Sequence, residues 1–244
     1  MYGLDLMQFT LAVLNTPRFI RTMVAYRRRW KGGKFPLHIG LLYPQLTDWL
    51  DSAGVANGHY FHQDLWASRK IYEIQPKKHI DIGSRIDGFV AHVLTFMPIT
   101  VIDVRPLKSD IPTLTFAQAD ATNLSGFADD SVESLSSLCA VEHFGLGRYG
   151  DLVDPDACFV VMREMARILQ PGGRLYLSVP IGIERLEFNA HRVFSPKTII
   201  DTFKGFEIVS FAAVDDEGNF RDNVKPEDFL NARSTFGLFE FTKR

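Results

Sequence analysis

Three observations predict an α/β fold with a parallel sheet. From residue 79 onward, short apolar runs alternate with segments of helical period, the rhythm of strands joined by crossover helices. The stretch Lys78-His79-Ile80-Asp81-Ile82-Gly83-Ser84-Arg85-Ile86-Asp87-Gly88-Phe89 reads as a buried strand, a glycine turn and the opening of a helix. A second apolar run, over 100–104, carries an acid at Asp103. That is about 20 residues on, the offset at which a Rossmann-type sheet sets a carboxylate against a ribose diol. Together these features predict an adenosine-containing ligand.

Length and composition bound the rest. At 244 residues, one α/β domain over 76–244 with a helical extension and lid over 1–75 fits better than two equal domains, and 46% apolar residues can supply a sizeable core. A net charge of −2 lacks the strongly basic footprint of a nucleic-acid binder. Cys139 and Cys158 have no metal-ligand spacing and no secretory context, so reduced thiols in a cytoplasmic protein are expected.

The elements follow in chain order. Residues 7–13 are apolar, but Asp5 precedes them and Arg18, Arg21 and Arg27 to Arg29 follow, the reverse of a secretory signal, and the run is too short to span a bilayer. Residues 17–30 form an amphipathic helix, with Phe19, Ile20, Met23, Val24 and Tyr26 against a basic face, ended by Lys31-Gly32-Gly33-Lys34. It either packs on the core with its arginines solvated or, through residues 17–34, meets anionic lipid or an acidic partner; the extension is also a natural homodimer contact. Residues 36–58 read as loop and short helix. Asp64 is the expected N-cap of a helix running to Glu73. The cluster His59-Tyr60-Phe61-His62 lacks the i, i+4 histidine spacing of a helical metal site, so an aromatic lid is expected there and no metal. Strands are predicted over 79–82, 100–104, 114–119, 132–139, 174–179, 206–213 and 236–242. Helices are predicted over 155–169, where Phe159, Met162, Met165, Ala166 and Leu169 share a stripe, and over 196–203.

The glycine turn narrows the ligand. Gly83 and Gly88 take the first and third places of G-x-G-x-x-G, but Arg85 fills the middle one, where a pyrophosphate needs bare backbone. A ligand without phosphate, such as S-adenosylmethionine, makes no such demand, and Arg85 could pair bidentately with its methionine carboxylate. A dinucleotide oxidoreductase is disfavoured for the same reason.

Residues 81–180 resemble the class I S-adenosylmethionine-dependent methyltransferases, in particular those acting on small molecules. The resemblance rests on Asp81-Ile82-Gly83, Asp103, Asp120-Ala121, Val141-Glu142-His143 and Leu169-Gln170-Pro171-Gly172-Gly173-Arg174-Leu175, with Phe188-Asn189-Ala190-His191-Arg192-Val193-Phe194-Ser195 beyond. More narrowly, the whole chain resembles a poorly characterised domain of unknown function assigned to that superfamily. The resemblance implies a Rossmann-like, mostly parallel sheet with the last strand antiparallel and helices on both faces. It implies a cofactor site of Asp81, Gly83, Arg85, Asp103, Asp120 and Ala121: Asp103 on the ribose hydroxyls, Asp120 on the adenine amino group and the Ala121 N–H on a ring nitrogen. Glu142 and His143 would lie in the crevice at the carboxyl end of the fourth strand. His143 is the first candidate for a general base, His191 the second, and Glu142 orients its neighbour. The chain departs from the family at Arg85 and Asp87, where the enzymes carry glycine or small residues. Methyl transfer to a small molecule or glycan is therefore weighed against a non-catalytic nucleoside-binding or partner-interaction module. The loop over 145–156 either closes over a substrate or joins a strand to its helix with Asp154 as cap, and its acids point to a hydroxyl-bearing or cationic small molecule.

Overall fold

The computed structural model describes residues 6–244; residues 1–5, with the Asp5 invoked above, lie outside the described residues. The chain divides into two compact units, Met1–Val55 and Ala56–Arg244, so the division falls before the helix that precedes the first strand.

In the first unit, helix α1 (Leu6–Arg29) starts well before Pro17, which lies inside it. The leucines, methionines and alanines on either side favour a helix. The ring of Pro17 removes only the hydrogen bond to the Val13 carbonyl, at a position open to water. Asn15 Nδ2 donates to the Leu46 carbonyl at 2.8 Å, the Tyr26 hydroxyl donates to that of Phe35 at 2.7 Å, and the Arg18 guanidinium lies over the Trp49 ring.

The second unit is built on an eight-stranded sheet in the order β3-β2-β1-β4-β5-β10-β8-β9. Strands β1 (His79–Ile82), β2 (Ile99–Asp103), β3 (Leu114–Gln118), β4 (Val132–Leu138) and β5 (Leu169–Ile181) run parallel. The last strand, β10 (Thr235–Lys243), is inserted antiparallel between β5 and β8 (Phe206–Val214), with β9 (Phe220–Arg221) at the edge. A hairpin of β6 (Arg185–Glu187) and β7 (His191–Val193) stands apart. Successive side chains feed opposite faces, as the pleat requires. Ile102, Leu135, Phe239 and Phe241 join one apolar layer with α4 (Ala157–Ile168) and α5 (Pro196–Thr202). Val101, Leu138 and Leu238 join the other, with α2 (His59–Ile74) and α3 (Ala91–Val93).

Several boundaries differ from expectation for physical reasons. Helix α2 begins at His59, behind Gly58 with φ 83°, because His59 stacks on Phe236 at 3.7 Å and His62 on Phe220 at 5.5 Å. Asp64 is consequently an interior, buried residue of α2, not its cap. Helix α4 starts at Ala157, leaving Pro155 outside, and Leu169 already belongs to β5. The β6–β7 hairpin was not anticipated, since its polar residues have no alternating apolar face.

Candidate functional site

The chain passes outward from β1 through β2 to β3 and then returns to β4 on the other side of β1, which makes the carboxyl ends of β1 and β4 the switch point where open α/β sheets form their crevice. The turn after β1 is tightly braced there. Gly83 has φ 73°, and a Cβ on it would stand 2.9 Å from that of Ala140. Beneath it, the Asp81 carboxylate accepts from the Ser84 hydroxyl at 2.5 Å, the Ser84 N–H at 3.0 Å and the Ser136 hydroxyl at 2.6 Å, while burial pushes its pKa up to about 6. Ser84 Oγ in turn accepts from the Leu138 N–H at 2.9 Å, tying the β1 turn to β4. Asp81 thus holds the turn from below and is not at the cavity wall.

Above it lies a cavity partly open to solvent. Gly83, Arg85, Asp103, Asp120, Ala121 and His143 all line it, so the ends of β1, β2, β3 and β4 converge on one hollow. Asp103 is clasped by Arg105: Oδ1 accepts from its backbone N–H at 2.8 Å and Nε at 3.0 Å, Oδ2 from Nη2 at 2.6 Å. A carboxylate has about four acceptor positions, so one stays open while the clasp is closed. Arg85 does not plug the hollow. Its guanidinium pairs with Asp87 through Nε at 3.1 Å and Nη2 at 3.0 Å and lies over the Tyr60 ring, 4.6 Å from its centroid. Asp120 Oδ1 accepts from the Thr122 N–H at 2.9 Å.

At the other wall, His143 Nδ1 lies 2.7 Å from the Ala190 carbonyl. A carbonyl can only accept, so Nδ1 carries the proton and Nε2 is left with a lone pair. Burial lowers the His143 pKa to about 4, keeping the ring neutral near pH 7. Glu142 is buried behind it, with Oε1 3.7 Å from His143 Nε2 and Oε2 without a hydrogen-bond partner among the described residues. Burial raises its pKa to about 8. His191 is on β7 with its ring 6.5 Å from that of His143 and Nε2 3.4 Å from Glu187, so it stands outside the cavity lining. The catalytic candidates therefore occupy three depths: His143 in the wall, Glu142 behind it and His191 beyond.

The loop over 145–156 is organised by its first acid. Asp151 accepts from the N–H groups of Gly145 at 2.8 Å, Gly147 at 3.3 Å and Tyr149 at 3.1 Å. Asp154 accepts from the Asp156 N–H at 2.9 Å, and Asp156 is the N-cap residue of α4, without a side-chain cap bond. The acids thus brace the loop from within. Of the aromatic cluster expected as a lid, Tyr60 alone lines the cavity, while His59 and His62 stack on Phe236 and Phe220. No cluster of His, Cys, Asp or Glu among the described residues could hold a metal ion. Sequence reasoning missed Arg105 and Tyr149. The one available signal for Arg105 was its position two residues after Asp103. Tyr149 is recognisable only once Arg105, 4.6 Å from its ring centroid, and the edge-on His143 ring at 5.7 Å are seen to flank it.

The fold is that of the class I S-adenosylmethionine-dependent methyltransferases. The chain is similar to the 1,6-didemethyltoxoflavin-N1-methyltransferase of Burkholderia thailandensis, solved with 1,6-didemethyltoxoflavin and S-adenosylhomocysteine bound, at a TM-score of 0.54 and 16% identity over 100% of this chain and 92% of that one. It is similar to the N-methyltransferase NodS of Bradyrhizobium japonicum WM9 in complex with S-adenosylhomocysteine, at 0.51 and 12% over 76% and 88%. The [4+2]-cyclase SpnF matches at 0.52 and 15% over 78% and 87%, so the fold alone does not specify the reaction. No curated protein matches this sequence. The family described as "Caenorhabditis protein of unknown function, DUF268" matches residues 105–236, more than half of the 244 residues, and the chain belongs to that family.

Proposed function

We propose that this protein transfers a methyl group from S-adenosylmethionine to a hydroxyl of a small molecule or glycan. The observation that carries this is the convergence of Gly83, Asp103 and Asp120-Ala121 on one cavity. Bare backbone at Gly83 gives the ligand room to pass over the β1 turn. Asp103 accepts from the ribose hydroxyls once Arg105 releases at least one oxygen, with the guanidinium still stacked on Tyr149. Asp120 receives the adenine amino group, the Ala121 N–H a ring nitrogen, and Arg85 reaches the methionine carboxylate by exchanging Asp87 for it. The bound cofactor supplies an electrophilic methyl on a sulfonium.

The chain's own task is to align the acceptor and take its proton. His143 lines the cavity, its ring held by the Nδ1–H bond to Ala190 and its unprotonated Nε2 3.7 Å from Glu142 Oε1. A base with a pKa of about 4 cannot strip a free alcohol or an ammonium ion. It can take the proton of a hydroxyl that becomes strongly acidic as the O–CH3 bond forms, and this favours an oxygen acceptor over a protonated amine.

Thermal denaturation with S-adenosylmethionine, S-adenosylhomocysteine and NAD tests the proposal. Ligand at 100 times its dissociation constant adds about 2.7 kcal/mol, roughly 5–10 °C for a chain of this size. The two sulfur ligands are expected to shift the transition and NAD to leave it in place. His143→Ala should keep the shift and lose methyl transfer from labelled cofactor. Absence of any shift favours a partner-interaction module instead, and undiminished transfer by the variant removes His143 from the mechanism.

A further inference from the structure

The charge of this chain is unevenly placed. Residues 6–47 contain seven Lys and Arg (Arg18, Arg21, Arg27, Arg28, Arg29, Lys31 and Lys34) and no Asp or Glu. Against a net charge of −2, a segment of +7 leaves −9 on the remainder. The same segment exposes its apolar side chains. On α1, at 100° per residue, Phe9, Val13, Ile20 and Val24 fall within about 60° of one another. They are 60%, 56%, 48% and 39% exposed, although such a stripe ordinarily faces a core. Arg21 and Arg28 flank the stripe on one side and Arg27 continues it toward the helix end, where Trp30 is exposed. Beyond the helix, Phe35, Ile39, Leu41 and Tyr43 are also exposed.

An apolar stripe bordered by arginines, with aromatic residues at its end and no acid in the segment, matches the surface of an anionic bilayer at headgroup depth. Its apolar residues enter the acyl boundary and its cations meet lipid phosphates. No helix among the described residues is long and apolar enough to cross a membrane, so a membrane-bound α1 would lie along the interface. We propose that residues 6–47 dock this protein on anionic membranes, with α1 parallel to the bilayer plane. This attachment is independent of the reaction proposed above and brings the second unit to lipid-bound or membrane-adjacent acceptors.

Cosedimentation of the full chain with vesicles tests it, one set of pure phosphatidylcholine and one containing a third phosphatidylglycerol. The chain should bind the anionic vesicles, release them as salt rises, and bind the neutral ones far less. At roughly fivefold per cation near the surface, Arg21→Gln, Arg27→Gln and Arg28→Gln together should weaken binding on the order of a hundredfold. Val13→Asp with Ile20→Asp should abolish it without moving the main unfolding transition. No binding to anionic vesicles overturns the proposal, as does equal binding to both vesicle types or binding indifferent to salt and to the arginine variants. Self-association in sedimentation equilibrium that Val13→Asp and Ile20→Asp abolish would assign the stripe to a second copy and also overturn it. A variant that fails to fold leaves the salt dependence of the unaltered chain as the deciding measurement.

Discussion

Glu142→Gln should change the pH dependence of stability in a defined direction. The Glu142 side chain is 2% exposed, one of its oxygens is unpartnered, and burial lifts its pKa from 4.5 to about 8. The folded protein therefore keeps this proton up to about pH 8, whereas the unfolded chain releases it near 4.5. Between those values folding takes up a proton, so the wild type loses stability as pH rises. At 1.36 kcal/mol per unit over about 3.5 units, the full loss is about 5 kcal/mol before relaxation around the charge reduces it. Glutamine has the same shape and does not ionise. Variant and wild type should match below about pH 4, and the variant should lead by several kcal/mol at pH 9. Urea unfolding of both proteins across this range measures the difference. His59, His79 and His143, with pKa values lowered by burial to about 4, 3 and 4, act in the opposite sense, contributing stability as pH rises toward 6.5. They are common to both proteins and cancel in the difference. Parallel stability curves would refute the assignment of a buried, neutral acid at position 142.

Gly83→Ala should cost about 1–2 kcal/mol for the left-handed backbone, and more for the close approach of the Ala140 Cβ. Urea unfolding should show the loss and thermal denaturation the absence of any cofactor shift; a stable variant with an intact shift would separate this turn from binding. Asp151→Ala leaves the N–H groups of Gly145, Gly147 and Tyr149 without their acceptor. At roughly 1 kcal/mol per lost bond, hydrogen exchange at these amides should speed up by one to two orders of magnitude while the sheet amides stay protected. Unchanged exchange would mean that the loop is held by other contacts.

Much of the fold was legible because its signals are local. The β1 turn announces itself through Gly83, whose positive φ few other residues tolerate, and β2 through an apolar run that can only be buried. The start of α1 was obscured by Pro17, which usually opens a helix and here sits inside one. The start of α2 was obscured because Asp64 resembles a cap, while the stacking of His59 and His62 on Phe236 and Phe220 depends on strands far along the chain. The acids over 145–156 resemble a charged mouth in sequence, and Asp151 does line the cavity, while its oxygens also accept from the N–H groups of its own loop.

The sequence by itself determined where β1, β2 and β4 lie, the acid that ends β2 and the histidine after β4, because strand burial and turn stereochemistry depend on neighbouring residues. Only the tertiary structure decided how those groups are presented. The proton of His143 is set by a carbonyl 47 positions away, and the neutrality of Glu142 by burial behind that ring. The clasp of Arg105 on Asp103 joins residues only two apart, but its guanidinium is aimed by Tyr149, brought in from another strand's loop. Protonation and charge pairing depend on what folding packs around a group, and no spacing rule along the chain encodes that packing.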